Sequence, residues 1–497
     1  MKKIHVLFVF LVFILAYLLR VVFLSNNSLT FGYDQARDAY ISQQILKGDI
    51  KIQGPPASTL GLYHGVLYYY ILAPGYLLGH GNPIVAAYWV ALINALTVFV
   101  VFYLGYLFTK KAGVGVLAAF IFAISFESTQ YATWLSNPTL GILTVPILYL
   151  GLWLWISKKY RLGPILAAIG LGFSIQSEIF LAYHLISLAI WLFASRKVIS
   201  KKSLTIFGVA LLFSISSMII SEFKFGFRGL AGLQSLALGE GGNLAYAKSI
   251  GDYLILYLNQ IGRIFAFNAY PGNIGWGGMF VIILAVYSLV KKDRVGSFLA
   301  TWLFAHVWVV TVGGTSTPFL MVGIGPAVSL MIAYYLSKLS RPLMIFILAI
   351  IIFGNISMIL KENPKGSTLF SIQKDMILSN ELAAIDYTYS QAKGKPFSIN
   401  SLTSPLYINL VWTYLYQWYG QPKYGYLPGW HGRDQVGQLD SLKKVEKPGE
   451  TSFLIIEPMD GIPPQYLELT VGEEDSKGKL VSEKYFGGLR IQRRKLQ

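Results

Sequence analysis

The sequence predicts an α-helical polytopic membrane protein with a C-terminal soluble α/β domain. The 497 residues are 54% hydrophobic and 13% charged, with a mean hydropathy of +0.54, and a soluble protein carries roughly twice that charged fraction. Apolar runs of about twenty residues, the length that crosses a bilayer, recur as far as Leu360. Basic residues cluster in the short loops between these runs, which is the pattern of cytoplasmic loops in membrane proteins.

The charge distribution excludes nucleic acid as the expected partner in spite of a net charge of +17. Before Leu360 there are nine acidic and twenty-four basic residues, and the basic residues follow the loop periodicity of a membrane protein with basic cytoplasmic loops. Membrane lipids are therefore the expected partners. The chain contains no cysteine, so disulfides and thiolate chemistry are excluded.

Taking the basic loops as cytoplasmic gives about eleven spans. The first run, His5 to Leu24, is too long for a signal-peptide core and is interpreted as a retained signal anchor. This topology predicts a multi-pass plasma-membrane protein, expected to be prokaryotic, with its amino terminus in the cytoplasm and the tail after Leu360 outside. The spans run approximately over residues 4–24, 83–108, 112–131, 138–157, 162–178, 179–195, 203–221, 272–290, 296–313, 319–337 and 342–360.

Two outer loops, residues 25–82 and 222–270, complete a predicted membrane domain over residues 1–360. The apolar run His64 to Leu78 is short for a span, so we expect an interfacial helix with Tyr68, Tyr69 and Tyr70 at headgroup level. The second loop holds a glycine-rich stretch at residues 239–242, as expected for either a mobile lid or a flexible connector.

The tail, residues 361–497, changes to a mixed composition of seventeen basic and fifteen acidic residues. Short strand-like runs begin at Phe397, Phe453 and Leu489, and a helical stretch covers Asp375 to Ala392. This alternation predicts a small extracytoplasmic α/β domain.

Asp34 and Asp38 are the residues most suggestive of chemistry. If the segment after Tyr33 is helical, their spacing places both carboxylates on one face with Arg37 adjacent. A carboxylate close to hydrocarbon is partly desolvated, which raises its proton affinity toward that of a general base. The alternative is that both are solvated loop acids paired with Arg37 and Lys47.

The order of motifs in the first 230 residues resembles the C-type (GT-C) membrane glycosyltransferases. One span is followed by an outer loop with Gly32-Tyr-Asp-x-Ala36, then Tyr63-His64, a tyrosine-rich helix and Asn82-Pro83; later markers are Trp134-Leu-Ser-Asn-Pro138 and Ser221-Glu-Phe-Lys-Phe-Gly-Phe227. The branch most similar is that of the protein O-mannosyltransferases and lipid A aminoarabinose transferases. The resemblance implies that Asp34 is the catalytic carboxylate and that Asp38 supports it.

Two positions depart from the family pattern. Gln35 stands where an acidic residue usually follows the catalytic Asp, and His64-Gly-Val-Leu67 replaces a His-x-Pro-Pro type sequence. The resemblance still implies an inverting enzyme that moves a sugar from a polyprenyl-phosphate donor to an acceptor on the outer face. The sugar and the acceptor, whether protein, lipid or glycan, stay open.

Such a reaction requires cations that hold the departing phosphate. The outer-side candidates are Arg37, Lys224, Arg228 and Arg263, of which Lys224 and Arg228 lie four residues apart after the seventh span. Snorkelling toward lipid phosphates is the alternative for each.

Three further residues are candidates for supporting roles. Glu178 and Glu222 either line the cavity and bind sugar hydroxyls or mark where helices emerge into water. His64 either touches the donor or is a satisfied structural group. A cation held by Asp34, Asp38 and Glu127 is conceivable, but ligand spacing of a metal site is missing, so we expect no required metal or other cofactor.

Two other functional classes compete with the enzyme. A polyprenyl-lipid or polysaccharide transporter would use the tail as a docking module, and it would be expected to place charged or broken helices near mid-membrane. A catalytically inactive scaffold would use the tail to bind cell-wall polymer. The concentration of acidic residues on one predicted face favours one-sided chemistry.

Overall fold

The computed structural model describes residues 3–57, 61–237, 249–313, 317–370, 373, 375–435, 439–460 and 462–496. The glycine-rich stretch at 239–242, expected to be a lid or connector, lies outside these residues.

The described residues up to 362 are mostly helical, as the apolar runs predict. Turns, single 3-10 turns and a few longer loops connect the helices, and a π-helical turn at Ile261–Ala266 joins two of them. The helices are α1 Lys3–Val21, α2 Tyr33–Leu46, α3 Leu67–Leu78, α4 Pro83–Ala95, α5 Thr97–Thr109, α6 Ala112–Ala123, α7 Phe126–Ala132, α8 Gly141–Ile156, α9 Leu162–Ser177, α10 His184–Ala194, α11 Lys201–Ser214, α12 Ser216–Lys224, α13 Arg228–Ala237, α14 Ile250–Gln260, α15 Phe267–Ala269, α16 Ile274–Val290, α17 Arg294–Leu303, α18 Val307–Gly313, α19 Gly325–Leu336 and α20 Arg341–Glu362.

Candidate membrane spans occur throughout this region. Within the described chain, four continuous helical stretches are long and apolar enough to cross a bilayer, and counting each bent helix pair as one span gives seven. The bent pairs are α6 with α7, α11 with α12, and the stretch from α14 to α15 with α16, bent by 61°, 57° and 88°. Each of the eleven predicted segments contains helix, but several are too short or broken, so the count of eleven stays a prediction.

The bend between α6 and α7 is held by a buried arginine from the first span. The Arg20 guanidinium donates hydrogen bonds to the backbone oxygens of Ala16 and Ala123, at 2.8 and 3.0 Å, and to Oδ1 of Asn94 at 2.7 Å. Ala123 is the last residue of α6, where carbonyl oxygens lack helical partners. The arginine thus satisfies the carbonyl group that the bend leaves without a helical donor.

The tail contains the predicted α/β domain. Its sheet has the strand order β2-β1-β3-β5-β4; β1 pairs in parallel with β2 and β3, while β5 is antiparallel to β3 and β4. The predicted strand-like runs correspond to β1, β3 and β5, and the predicted helix to α21. The elements are α21 Leu378–Ala392, β1 Ser398–Leu402, α22 Leu410–Leu415, α23 Gln421–Tyr424, β2 Gly429–Trp430, β3 Thr451–Ile456, α24 Pro464–Lys477, β4 Gly478–Phe486 and β5 Leu489–Leu496.

The tail is attached to the loop that carries Asp34. The backbone N–H of Phe31 donates to the oxygen of Met376 at 3.0 Å, and the N–H of Leu378 donates to the oxygen of Leu29 at 2.8 Å. Further along, the Tyr414 hydroxyl donates to the backbone oxygen of Gly81 at 2.6 Å. Side chains of both parts share one apolar core, so the tail fixes both ends of the first outer loop.

The tyrosine-rich helix α3 forms as predicted, but its environment differs. Tyr68 and Tyr69 are buried inside the protein, at 0% and 1% exposure, so the expectation that they lie at headgroup level is wrong. Tyr70 is partly buried, and its hydroxyl donates to the backbone oxygen of Lys51 at 2.8 Å. The short apolar run packs on neighbouring helices, and only its end, at Leu77 and Leu78, is exposed.

Candidate active site

The site begins with the start of α2. Gly32 is the N-cap residue, and its N–H donates to Oε1 of Gln35 at 3.0 Å, so the side chain three residues later satisfies a backbone donor at the helix start. Asp34 lies in the first turn, where a negative charge is favoured by the helix dipole. The predicted helix after Tyr33 is therefore present, and Asp34 and Asp38 are one turn apart.

Arg37 joins the two aspartates. Its Nη1 lies 2.7 Å from Oδ1 of Asp34, and its Nη2 lies 2.7 Å from Oδ1 of Asp38. A further hydrogen bond from Nε to the same Asp38 oxygen measures 2.8 Å. Arg37 is thus the ion-pair partner anticipated for both acids, whereas Lys47 forms no salt bridge with either among the described residues.

The two carboxylates differ in exposure. The side chain of Asp34 is 53% exposed, while that of Asp38 is fully buried and its Oδ2 has no hydrogen-bond partner within the described structure. Burial raises the pKa of Asp38 to about 7, and the Arg37 charge opposes this only in part. The sequence leads us to expect that a carboxylate in this helix is desolvated, and the desolvated one is Asp38. Asp34 is the carboxylate that a substrate can reach.

Gln35 has a role that a carboxylate could not fill. It is buried, and besides accepting from Gly32 its Nε2 donates to the backbone oxygen of Leu135 at 3.1 Å. Leu135 belongs to the Trp134–Pro138 motif that carried part of the family resemblance. A glutamate here would retain the acceptor but lose the donor at physiological pH. The glutamine that departs from the family pattern is thus required by the hydrogen bonds of this loop.

His64 and Glu178 lie together near Arg37. His64 is buried, and its Nδ1 accepts a hydrogen bond from the N–H of Ile179 at 3.1 Å and lies 3.7 Å from Oε1 of Glu178. Burial lowers the pKa of His64 to about 3, with a smaller contribution from the Arg37 charge. His64 is therefore neutral, and it accepts a structural hydrogen bond.

Glu178 is 2% exposed, so the alternative that it marks a helix end emerging into water is wrong.

Gln176, two residues earlier, connects the first loop to the end of α9 by hydrogen bonds. Its backbone oxygen accepts from the N–H of Gly65 at 2.8 Å, and its Oε1 accepts from the N–H of Leu67 at 3.3 Å. The structure thereby brings the predicted residues Asp34, Arg37, Asp38, His64 and Glu178 into one polar region.

The second outer loop contributes residues with different roles from those expected. Lys224 ends α12 and Arg228 begins α13 after a turn, so the pair does not lie one turn apart on a single helix. The two oxygens of Glu222 accept from the N–H groups of Gly229 and Leu230, both at 3.1 Å. Glu222 therefore caps α13, which accounts for its carboxylate without a sugar ligand.

The two outer loops meet at Arg228. Gly61 of the first loop packs against the backbone of Arg228. The contact is so close that a side chain at position 61 would begin, at its Cβ, only 3.2 Å from the backbone oxygen of Arg228. Both Lys224 and Arg228 are exposed, and the Lys224 ammonium lies 5.6 Å from the centre of the Phe225 ring. The backbone of Arg228, a predicted phosphate ligand, thus lies beside the loop that carries Asp34.

Arg263 and Glu127 line a cavity of about 90 Å³. None of the site residues described above lines this cavity. Glu127 is buried, and its Oε2 accepts a hydrogen bond from Nδ2 of Asn268 at 2.5 Å. The sequence suggests Glu127 only as a metal ligand and Tyr69 only as an interfacial residue, although Tyr69 interacts with Arg37. It gives no indication of Asn268. These partners are far apart in sequence, so no local pattern indicates them. Among the described residues, no group of three or more His, Cys, Asp or Glu could hold a metal ion.

Comparison with known proteins identifies the fold. No protein-family model matches the chain, and no curated protein matches it in sequence. Two crystal structures of ArnT from Cupriavidus metallidurans are similar over 98% of this chain and 97% of theirs at 12% identity. The one bound to undecaprenyl phosphate has a TM-score of 0.61 and the apo form 0.59. An Archaeoglobus fulgidus oligosaccharyltransferase structure, with 16% identity over 78% of this chain and 59% of the other, has a TM-score of 0.43.

At 12% identity the likeness concerns the fold. It extends over the membrane helices and the tail alike, since almost the whole of both chains is covered. The predicted architecture, helical in the membrane part with a small C-terminal sheet domain, is thereby confirmed. The chain has the fold of ArnT from Cupriavidus metallidurans.

Proposed function

We propose that this protein is a membrane glycosyltransferase that moves a sugar from a polyprenyl-phosphate donor to an acceptor on the outer face, with inversion at the anomeric carbon. The observation that carries the proposal is the exposed Asp34 carboxylate held at 2.7 Å by Arg37, which is itself fixed by the buried Asp38. The fold shared with ArnT, one of whose structures is bound to undecaprenyl phosphate, supports the class of donor.

In this proposal Asp34 is the general base. It takes the proton from an acceptor hydroxyl while the acceptor oxygen forms a bond to the anomeric carbon, and the bond from that carbon to the phosphate oxygen breaks. The polyprenyl phosphate leaves with the electron pair. Arg37 holds Asp34 in place, and Asp38 positions Arg37.

The departing phosphate needs a cation other than Arg37, whose guanidinium already carries two carboxylates. We assign this role to Arg228 with Lys224, because both are exposed and the backbone of Arg228 lies against the first outer loop. Arg263 is a second candidate, at the separate cavity beside Glu127. The proposal requires no metal or other cofactor.

The test compares two aspartates of the same loop. Asp49 matches Asp34 in exposure, at 57% against 53%, and in having a cationic partner, Lys51. Wild type, Asp34→Asn and Asp49→Asn are reconstituted in lipid vesicles with radiolabelled polyprenyl-phosphate sugars and a panel of protein, lipid and glycan acceptors. Loss of a general base lowers the rate about 10²–10⁴-fold, so Asp34→Asn should lose transfer and Asp49→Asn should keep it.

Equal activity of wild type and Asp34→Asn would contradict the site assignment. If wild type moves the labelled lipid across vesicle membranes without transferring the sugar, the protein is a transporter. Release of polyprenyl phosphate, measured together with the sugar product, distinguishes these outcomes.

A further inference from the structure

A second cavity, of about 540 Å³, lies where α8 and α10 end and α17 begins. Its walls include four basic side chains, those of Lys158, Arg196, Lys197 and Arg294. These residues belong to the basic loops that the charge pattern assigns to the cytoplasmic face, opposite the predicted face of Asp34. The volume is in the range of sites for small organic ligands.

The cavity is positively charged and holds no acidic side chain among its lining residues. The nearest acid in sequence, Asp293, lies 3.3 Å from Lys338 and is engaged there. Within the described parts of the chain, none of the four cations of the cavity forms a salt bridge. Four like charges around one space repel each other, and an anion placed among them relieves this repulsion.

Packing fixes the guanidinium groups of the two arginines. The Arg294 guanidinium lies 5.4 Å from the centre of the Trp153 ring, and its Nη2 donates to the backbone oxygen of Ile156 at 3.4 Å. The Arg196 guanidinium lies 4.6 Å from the ring centre of Phe193, and its Nη1 donates to the backbone oxygen of that residue at 3.4 Å. Both arginines line the cavity, and each guanidinium is thus held beside an aromatic ring.

An exposed apolar surface leads into this cavity along α10. Leu185, Ile190 and Phe193 on that helix are 40%, 45% and 69% exposed, and the helix ends at Ala194, two residues before Arg196. The indole of Trp191 lines the cavity and is fixed by a 2.8 Å hydrogen bond from its Nε1 to Oγ1 of Thr301. A ligand with a phosphate group and acyl chains matches both features, whereas free phosphate matches only the charge.

We propose that this cavity binds the phosphate headgroup of an anionic membrane phospholipid, whose acyl chains lie along the exposed face of α10. The site is separate from the proposed reaction site and does not depend on the proposed function. Its expected effect is on the stability of the membrane helices, because one anionic headgroup would reduce the repulsion between basic residues from three separate parts of the chain.

The experiment measures lipid binding to the full chain. Wild type is exchanged into nanodiscs of phosphatidylglycerol or of phosphatidylcholine, and retained lipid is counted by native mass spectrometry alongside thermal unfolding. The test variant neutralises the cavity by Lys158→Gln, Arg196→Gln, Lys197→Gln and Arg294→Gln. The control variant removes the same charge outside it by Lys110→Gln, Lys111→Gln, Lys201→Gln and Lys202→Gln. A milder variant, Lys158→Gln with Lys197→Gln, leaves both arginines and their ring contacts in place.

The proposal expects wild type and the control to retain phosphatidylglycerol and to melt at a higher temperature in it than in phosphatidylcholine. The cavity variant should lose most of this difference, and the milder variant part of it. Equal losses in the cavity and control variants would overturn the site in favour of general surface charge. Equal stabilisation by inorganic phosphate in detergent would overturn the lipid as its source.

Discussion

The side-chain amide of Gln35 donates a hydrogen bond of 3.1 Å to the backbone oxygen of Leu135, one hundred residues later in the chain. This contact ties the helix that carries Asp34 to the turn between α7 and α8. It also explains why an amide, rather than a second acid, follows Asp34.

The first prediction concerns this amide. In Gln35→Glu a buried carboxylate would face a carbonyl oxygen without a proton to share, and an unsatisfied buried polar group costs about 1–3 kcal/mol. We expect a lower free energy of unfolding, measured by thermal melting in nanodiscs. The same change at the exposed Gln234 of α13 is the control and should shift stability little. Melting of Gln35→Glu at the wild-type temperature would show that the loop tolerates an acid.

The second prediction is a pH dependence. Because the pKa of Asp38 is raised by burial to about 7, the folded state binds a proton that the unfolded state, with a pKa near 3.8, releases at lower pH. The protonated Asp38 side chain therefore contributes fully to the stability of the fold below pH 3.8. This contribution is lost as the pH rises through about 7, by at most roughly 1.4 kcal/mol per pH unit. Melting curves of wild type and Asp38→Asn across pH 4–8 measure the difference.

In that experiment the stability advantage of wild type over Asp38→Asn should shrink as pH rises. Asp49→Asn is the matched control, since Asp49 is 57% exposed. A difference that grows with pH would mean that the Arg37 pairing outweighs burial at Asp38.

The third prediction concerns the attachment of the tail. The Tyr414 hydroxyl donates to Gly81 and accepts from Nε2 of Gln43 at 2.9 Å, so Tyr414→Phe removes two contacts with the first outer loop. We expect a loss of about 1–2 kcal/mol and faster hydrogen exchange in α2. Tyr426→Phe, which removes an exposed hydroxyl bonded to the Lys395 oxygen at 3.2 Å, should change neither. Equal exchange in both variants would show that the tail does not stabilise the loop.

The fourth prediction concerns Arg20. In Arg20→Leu, Oδ1 of Asn94 and the oxygen of Ala123 lose their donor, and each unsatisfied buried acceptor costs about 1–3 kcal/mol. The variant should melt well below wild type, and Arg161→Leu, at an exposed arginine, should not. If Arg20→Leu melts like wild type, the bend between α6 and α7 does not depend on this residue.

The sequence predicted the membrane helices, the α/β tail and helix α2 because these depend on local patterns of apolar residues and caps. Tyr68 and Tyr69 were misplaced, because a tyrosine at a membrane interface and one buried between helices have the same local sequence. Glu222 resembled a cavity residue, yet its partners Gly229 and Leu230 become apparent only when the chain turns after Lys224.

The sequence predicted where in the chain the candidate site lies, but not how its side chains are arranged in space. The spacing of Asp34 and Asp38 indicates one helix face and suggests Arg37 as a partner. It contains no information on which carboxylate is buried, because that depends on packing by residues distant in sequence. The neighbourhood of His64 with Glu178, more than a hundred residues apart, is likewise fixed by the tertiary fold.

The pairing of residues 29–31 with 376–378 has a consequence for how the protein is made. The segment just before Asp34 is synthesised early, but its backbone partners at Met376 and Leu378 emerge only after all the membrane helices have been translated. The loop therefore reaches its final form late, and a chain that stops before residue 376 would be inserted in the membrane with an unfinished Asp34 loop.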